Sequence, residues 1–262
     1  MTLNVYNVVV PFFLLFLIAC SKNDANPLPD PLANVNLDKG LLAHYPFNGN
    51  INDASGNALH GIFKNGASLI YDKHGNANAA ANFTGSGQKI IVPNNGKLKF
   101  DTALTVSFQV MPRTKSRSNY ISVTDNETVK GTSFVLGTPN PGNENFIFSV
   151  SNDEVTCDIV QNPNQVSNID AQKVLQPESW YNIICIFNKG QMKLYINGNL
   201  ISSRQSADNL MHICPDAELL IGGWWDKDPT ASLNGKLDEI RLYDRPLNDD
   251  EIKELSKNFK DQ

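Results

Sequence analysis

Apolar and polar residues alternate along several short runs of the chain. Between Leu104 and Val110 every second residue is apolar, and the residues between them are Thr105, Ser107 and Gln109. A period of two places the apolar side chains on one face of a β-strand. Runs that alternate in this way, or that are almost wholly apolar, also cover residues 146–151, 155–159, 180–187, 192–196, 219–221 and 237–243.

Turn residues separate these runs. Asn197-Gly198 is a two-residue hairpin signal that joins the run at 192–196 to the apolar pair at 200–201. The runs do not alternate with long helical patterns, as they would in a parallel sheet. The pattern therefore predicts an all-β fold, a two-sheet antiparallel sandwich.

One helix is predicted, at the C-terminal end, over residues 248–259. Asn248 can cap its first turn, and Glu251 lies three residues later, as in a capping box. Helical spacing puts three apolar side chains on one face, namely Ile252, Leu255 and Phe259. The predicted fold is thus a sandwich with a short C-terminal helix.

The N-terminal segment has the features of an export signal. Residues 8–19 are apolar apart from Pro11, and a helix of that length is too short to cross a hydrocarbon core of about 30 Å. The run ends in Leu17-Ile18-Ala19-Cys20, which resembles a bacterial lipobox. The resemblance implies a signal peptide over residues 1–19 and a lipid on Cys20. The alternative is an ordinary signal peptide followed by a chance cysteine.

A short tether follows the cysteine. Residues 20–36 carry Pro27, Pro29 and Pro31 and little that could be buried, so they predict a stiff, extended segment. Residues 20–24, CSKND, resemble the polar, acidic export tags of Bacteroidetes surface lipoproteins. We therefore expect an outer-membrane lipoprotein, at the cell surface or on the periplasmic face, with one domain at residues 37–262.

Composition and charge narrow the choice of partners. The 262 residues are 41% hydrophobic, which is enough to fill a core and excludes wholesale disorder. The 22 basic residues are outnumbered by 27 acidic ones, for a net charge of −5, and no basic block stands out. A nucleic acid is therefore not an expected partner.

Four segments, in order, match a known family. Residues 40–61, GLLAHYPFNGNINDASGNALHG, resemble the opening motif of laminin G-like (LamG) jelly rolls of the concanavalin A-like lectin/glucanase superfamily. The segments at 79–93, 179–201 and 219–252 resemble that family's F-x-G…I-x-V strand, its tryptophan strand with a Tyr-x-Asn-Gly hairpin, and its closing strand and helix. The resemblance implies an antiparallel jelly roll with Trp180 in the core. Because this fold hosts lectins, adhesins, pentraxins and glucanases, it does not name a ligand.

Catalytic motifs are missing from the sequence. The glucanases of this superfamily carry E-x-D-x-x-E carboxylates on one strand, and the chain lacks this motif, as well as G-x-S-x-G, H-E-x-x-H and a P-loop. Asp238 and Glu239 resemble part of the carboxylate motif, but neighbours on a strand point to opposite faces. We therefore predict a protein that is not an enzyme. The alternative is a glycosidase with unrecognised carboxylates.

Loop 48–57 is a candidate calcium site. It is dense in side-chain and backbone oxygens, and Ca²⁺ binds six to eight of these. The same residues form Asx turns without metal, which is the alternative. In the family that the chain resembles, the Asp of this loop and that of the closing strand lie near one bound calcium. The resemblance implies a structural Ca²⁺ at Asp53 and Asp238, with Asn50 and His60 nearby.

The alternation of side chains along the closing strand indicates that Asp238 needs a partner. The residue has the parity of Ile240 and Leu242, so it is expected to face the core with them. An unpaired carboxylate is costly there. A metal, an arginine or the sheet edge would have to accommodate it.

Three aromatic residues are candidates for stacking on a sugar ring. Trp224 and Trp225 are adjacent, so in an extended segment one faces the core and the other faces solvent. Tyr120 is a further candidate, expected to be exposed. The alternative is that both tryptophans pack against loops.

Three cysteines follow Cys20. Cys157, Cys185 and Cys214 allow one disulfide by any of three pairings. Free buried thiols are equally compatible with the apolar positions of Cys157 and Cys185. No pairing is predicted.

These features together predict a noncatalytic carbohydrate-binding module on the bacterial envelope. The alternatives are a calcium-stabilised adhesion module that binds a surface protein and, third, an unrecognised glycosidase. An exposed aromatic on a sheet face would favour a glycan, and two carboxylates in a cleft would favour an enzyme.

Overall fold

The computed structural model describes residues 1–2, 35–126, 131–139, 144–152, 166–214 and 217–259. Contacts divide the chain into two units, residues 1–33 and 34–262, and the second unit holds all of the strands and the helix described below. No helix in the described part of the chain is both long and apolar enough to cross a membrane. Residues 155–159, predicted to form a strand, lie outside the described residues, as do Cys20 and Cys157.

Two antiparallel sheets form the second unit, with strands numbered along the chain. Sheet A has the order β13 (Asn199–Gln205), β12 (Gln191–Ile196), β11 (Tyr181–Asn188), β6 (Ala103–Pro112), β15 (Asn234–Tyr243), β4 (Ala80–Thr84) and β3 (Ser68–Ile70). Next to β4, β1 (Leu41–Tyr45) pairs with the second half of β15. Sheet B has the order β10 (Val166–Ala171), β9 (Phe146–Ser151), β8 (Phe134–Thr138), β7 (Ser118–Thr124), β14 (Glu218–Ile221), β5 (Lys89–Val92) and β2 (Ile62–Lys64).

The predicted sandwich and its central strands are confirmed. The alternating run at 104–110 lies in β6, and the apolar run at 180–187 lies in β11, which pairs with it. Asn197-Gly198 joins β12 to β13 as a hairpin, with φ of +51° and +78° at the two residues. Positive φ at both positions is typical of the tight turns that join antiparallel strands.

The core lies between the two sheets. Alternate side chains of β6 and β11 point into it, and Leu104, Val106, Phe108 and Val110 are wholly buried. Tyr120 belongs to the same core, with its ring centroid 5.9 Å from that of Phe146. The expectation that Tyr120 is exposed is therefore wrong, because the residue is only 2% exposed. A register shift between Asn119 and Ile121 interrupts the alternation of β7, so both residues that follow Asn119 join the core.

The predicted helix is confirmed as α1 (Asp249–Ser256), on the outer face of sheet A. Asn248 accepts hydrogen bonds from the first turn, and the Glu251 carboxylate accepts one from the Asn248 N–H, which completes the capping box. Ile252 packs into a second apolar cluster, formed with Ile184, Ile186, Tyr195, Tyr243 and Leu247. At the end of the helix, the buried Ser256 hydroxyl donates to Asn182 Oδ1.

Cys185 and Cys214 differ in oxidation state. Cys185 is a free thiol in the core, and burial raises its pKa. Cys214 is in a disulfide. Any pairing that involves Cys185 is therefore excluded.

Candidate functional site

The loop that joins β14 to β15 lies on the outer face of sheet B. It leaves β14 at Gly222, whose N–H donates to the Tyr120 carbonyl. It then returns to the other end of β14, where the Asp226 N–H donates to the Asn126 carbonyl, just beyond the residue that pairs with Glu218. Gly222 makes this turn at φ +81°, and a Cβ there would lie 2.3 Å from the Phe83 ring.

A buried lysine holds this loop in place. Ile90 and Val92 face the core, so Lys89 projects from the outer face of β5, where it is 2% exposed. Its Nζ donates to Asn126 Oδ1 at 2.7 Å and to the Trp224 carbonyl at 2.6 Å, and it pairs with Asp226 Oδ1 at 2.6 Å. The Lys89 hydrogen bond lowers the pKa of Asp226. A buried ammonium needs hydrogen-bond acceptors and a negative partner. The contacts with Lys89 therefore hold the loop in place at Trp224 and Asp226.

The far end of the loop is held by a second ion pair. Arg117 pairs with Asp228 Oδ2 at 2.7 Å, and the Thr230 hydroxyl donates to Asp228 Oδ1 at 2.6 Å. Arg117 also donates to the Pro139 carbonyl. The loop is thus fixed to sheet B at both ends. Lys89 and Arg117 belong to no sequence motif, and the one sign of Lys89 in the sequence is a lysine at the start of the apolar segment 89–92.

Trp224 and Trp225 lie between these two anchors, and both are partly exposed. The expectation that one indole enters the core is wrong, because the segment is a loop and not an extended strand. The Asp228 N–H donates to the Trp225 carbonyl, as in a turn. The Lys227 ammonium lies 5.9 Å from the centroid of the Trp225 ring.

Asp238 does not face the core. The register of β15 against β6 shifts between Asp238 and Arg241, and Glu239 has φ +48°. This bulge changes the alternation, so Leu237 and Ile240 both join the core while Asp238 points to the outer face of sheet A. There it lines a cleft of about 270 Å³ beside α1.

The bulge also brings the two neighbouring carboxylates into the same cleft, contrary to the expectation of opposite faces. Burial raises the pKa of Asp238 to about 8, and the negative charge of Glu239 adds to this effect. Although burial opposes it, the pKa of Glu239 is lowered by a hydrogen bond from His44, at 3.1 Å, and by Arg241, at 2.8 Å. Glu239 is therefore held in a salt-bridge network.

The carboxylate of Asp53 organises the opening loop. It accepts four hydrogen bonds, from the backbone N–H groups of His44, Ser55 and Leu59 and from the Ser55 hydroxyl. Although partial burial opposes it, these bonds lower the pKa of Asp53. A calcium ion bound by this carboxylate would have to share oxygens that already accept these bonds.

The other predicted calcium ligands are also engaged within the loop. His60 Nδ1 accepts from the Asp53 N–H at 3.2 Å, and Asn50 Oδ1 accepts from the Asn52 N–H at 2.8 Å. Asp238, the predicted calcium ligand on the closing strand, is instead influenced by the charges of Glu239, Asp72 and Lys73. Among the described residues no three His, Cys, Asp or Glu side chains are grouped so as to hold a metal. Loop 48–57 contains the Asx turns that are the alternative to a metal site. Calcium binding stays a prediction.

Comparison with known families identifies the domain. The Laminin_G_3 family model, described as concanavalin A-like lectin/glucanases superfamily, matches residues 84–253. The chain belongs to this superfamily. No curated protein matches the chain.

Solved structures share the fold of this superfamily domain at low sequence identity. Domain 4 of AbnA, a GH43 extracellular arabinanase from Geobacillus stearothermophilus solved with arabinotriose, is 20% identical with a TM-score of 0.57, and the match covers 82% of this chain and 98% of that one. The receptor-binding domain of botulinum neurotoxin mosaic serotype C/D is 16% identical with a TM-score of 0.63, over 85% of this chain and 52% of the other. The binding domain of Paraclostridial Mosquitocidal Protein 1 is 19% identical with a TM-score of 0.63, over 86% of this chain and 53% of the other. The chain therefore spans about half the length of the two toxin domains.

The raised pKa of Asp238 predicts how the stability of the superfamily domain depends on pH. The folded state holds a proton on Asp238 up to about pH 8, whereas the unfolded chain releases it near pH 4. The stability that this proton contributes is present below pH 4 and is lost as the pH rises through 8.

We expect Asp238→Asn, which cannot ionise, to raise the Tm relative to wild type at pH 9 more than at pH 5, by at least about 4 °C. Thermal melts at both pH values measure this, with the exposed Asp208→Asn as control. Equal gains at both pH values would contradict the prediction.

A melting experiment tests calcium at loop 48–57. Binding to the native state alone, at a hundredfold excess over Kd, stabilises by about 2.7 kcal/mol. If calcium binds, EDTA lowers the Tm by about 5 °C, millimolar Ca²⁺ restores it, and Asp53→Asn abolishes the response. Superimposed curves in EDTA and Ca²⁺ mean that hydrogen bonds alone hold the loop.

Proposed function

We propose that the protein is a noncatalytic carbohydrate-binding domain and that the loop carrying Trp224 and Trp225 contacts the glycan. The observation that carries this proposal is the pair of partly exposed indoles fixed to sheet B through the buried Lys89. An indole face packs on the C–H face of a sugar ring, and nearby polar groups bond its hydroxyls. Because the loop is already ordered, little conformational entropy is lost on binding.

Polar groups beside the indoles suit a hydroxylated ligand. Asp226 is 60% exposed at its side chain although it pairs with Lys89. The charge of Lys64, on the neighbouring edge strand β2, also acts on Asp226. Carboxylates accept and ammonium groups donate hydrogen bonds, so the loop offers both functions to sugar hydroxyls.

The structural neighbours are consistent with a binding role. One is an arabinanase domain solved with arabinotriose, and others are receptor-binding domains of toxins. At 15–20% identity they share the fold alone, so the ligand class is argued from the indole loop.

The carboxylates of the described residues favour binding over hydrolysis. Asp238 and Glu239 share a cleft and have separated pKa values, which is a pattern found in acid–base pairs. They are adjacent in sequence, however, and Glu239 is engaged by both His44 and Arg241. This network neutralises a partly buried charge, and it leaves Glu239 bonded to protein rather than available to attack a substrate.

A protein partner is the second candidate. Strand β2 is an edge of sheet B and exposes Ile62 at 49% and Phe63 at 38%. Exposed apolar side chains on an unpaired strand edge are a feature of protein-binding surfaces. They favour an adhesion role if no glycan binds.

We also propose that the domain is displayed on the bacterial envelope through a lipid on Cys20. The support comes from the sequence alone, in the apolar run at 8–19, Ala19 before the cysteine, and the proline-rich segment that follows.

Substitution of each indole tests the glycan proposal. We expect Trp224→Ala or Trp225→Ala to weaken binding to the polysaccharide that the wild type recognises by about fivefold or more, the equivalent of about 1 kcal/mol of stacking. Leu200→Ala, a change at a side chain that is 51% exposed on β13, is the matched control and leaves affinity unchanged. Affinity electrophoresis against arabinan, xylan, mannan and β-glucan provides the screen. Failure of the wild type to bind any polysaccharide would shift the proposal to a protein partner, and release of reducing ends would contradict a noncatalytic role.

Fractionation of cells tests the anchor. Cys20→Ser removes the thiol that takes the lipid, so the protein should leave the membrane fraction or accumulate as an uncleaved precursor. Each buried CH₂ of an acyl chain contributes about 0.8 kcal/mol, and two or three chains anchor a protein stably. Cys185→Ser, in the core, is a control for thiol loss. Normal processing and membrane retention of the Cys20→Ser variant would argue against lipidation at this residue.

A further inference from the structure

A groove on the other side of the molecule contains the third tryptophan. One part of it, about 390 Å³, is lined by Lys73, His74, Glu178, Ser179, Trp180 and Asn258. The cleft of about 270 Å³ that contains Asp238 is also lined by Lys73, His74 and Asn258. The two parts therefore adjoin. Pockets that bind small ligands measure about 300–1,000 Å³, so the groove has the size of a ligand site.

Trp180 belongs to this groove and not to the core. The family resemblance implied a core position, but the residue is partly exposed and precedes the first residue of β11. Beside it, Glu178 has φ +61°, and its N–H donates to the Pro112 carbonyl at 2.7 Å. A non-glycine residue with this backbone conformation is held by its surroundings, and such residues concentrate at functional sites.

The opposite wall is also ordered. Asp72 accepts hydrogen bonds from the backbone N–H groups of His74 and Asn76 and from the Asn76 side chain, so the loop carrying Lys73 is a closed turn. The ammonium of Lys73 lies 3.6 Å from the centroid of the Phe259 ring, just beyond α1. The walls of the groove are therefore fixed by three separate segments of the chain.

Polar groups in the groove retain bonding capacity. The buried Nζ of Lys73 has no hydrogen-bond partner among the described residues. Asp238 is only 6% exposed, and among the described residues its carboxyl group accepts one hydrogen bond, from the Glu239 N–H to Oδ1. Buried polar groups are normally satisfied, so the Lys73 ammonium, which contacts the Phe259 ring but has no hydrogen-bond acceptor among the described residues, indicates a missing polar partner.

We propose that this groove is a second saccharide-binding site, in which one sugar ring packs on Trp180 and the next extends toward Asp238. Hydroxyl groups both donate and accept, so they can bond to the Lys73 ammonium and to the Glu178 and Asp238 carboxyl groups at once. The site is separate from the Trp224–Trp225 loop and does not depend on it.

The charges of the lining favour an uncharged ligand. Glu239 pairs with Arg241, and Glu254 pairs with Lys257, so four of the charged groups are already neutralised. Lys73 lies near the negative charges of Asp72 and Glu239, and the neighbouring Asp238 carboxyl group holds a proton up to about pH 8. A strongly anionic or cationic ligand would have to displace these partners, whereas a neutral polyhydroxylated one would not.

Fluorine NMR can observe all three tryptophans separately. The chain contains three tryptophans, so labelling the purified full chain with 5-fluorotryptophan gives three resonances, assigned from Trp180→Phe, Trp224→Phe and Trp225→Phe. The probes are four uncharged trisaccharides: arabinotriose, xylotriose, mannotriose and cellotriose. We expect at least one to shift the Trp180 resonance in a saturable manner.

Variants connect that shift to the groove. Glu178→Ala and Lys73→Ala should each weaken the saccharide affinity reported by the Trp180 resonance about tenfold, or abolish the shift, while Trp224→Ala leaves it unchanged. Melting curves check the fold, and Glu178→Ala keeps the test valid if Lys73→Ala does not fold. Leu200→Ala is the surface control.

The outcomes separate the two sites. A shift confined to Trp224 and Trp225 would overturn the groove proposal and leave the proposed function intact. A shift confined to Trp180 would support the groove and remove the indole loop as the glycan site. No shift with any trisaccharide would overturn the groove as a site for uncharged saccharides.

Discussion

Strand β15 determines how the two faces of sheet A are used. It pairs with β6 along one edge and with β4 and then β1 along the other, so its register sets the positions of three neighbours. The bulge at Asp238–Glu239 adds a residue to this register. Leu237, Ile240 and Leu242 all reach the core as a result, and two carboxylates are placed on the outer face. Without the bulge, Asp238 would have been buried among apolar side chains at high cost.

The polar groups on that outer face compensate one another. Glu239 is held by His44 and Arg241, and Asp238 retains its proton because burial raises its pKa to about 8. Asp53, on the opening loop, instead receives four hydrogen bonds. The two aspartates that the family resemblance placed at one calcium ion therefore have different local partners.

In sheet B, the buried ammonium of Lys89 is likewise compensated by polar partners. Lys89 is almost fully buried because the β14–β15 loop supplies a carbonyl and a carboxylate to its ammonium. The same bonds fix a loop that carries two partly exposed tryptophans. An ordered loop of this kind binds a ligand with little loss of its own entropy. Stability and the proposed recognition thus depend on the same contacts.

Periodicity and turn chemistry identified the elements that are governed by local rules. The alternation at 104–110, the Asn197-Gly198 turn and the capping box at Asn248 and Glu251 needed no long-range information, because each depends on neighbouring residues. Short strands such as β2 and β3, three residues each, were not identified, since they are too short for a periodic signal.

The sequence alone determined the sandwich, its central strands, its helix and its superfamily. Only the tertiary structure decided which way Asp238, Tyr120 and the tryptophans point. A bulge reverses side-chain parity without leaving a mark in the apolar pattern, and the burial of Tyr120 depends on such a shift in β7. The placement of Trp180 in a groove depends on segments distant in sequence, and the position of the indole loop depends on Lys89, more than 130 residues before it. Contacts of that range arise when the two sheets pack, so no local pattern encodes them.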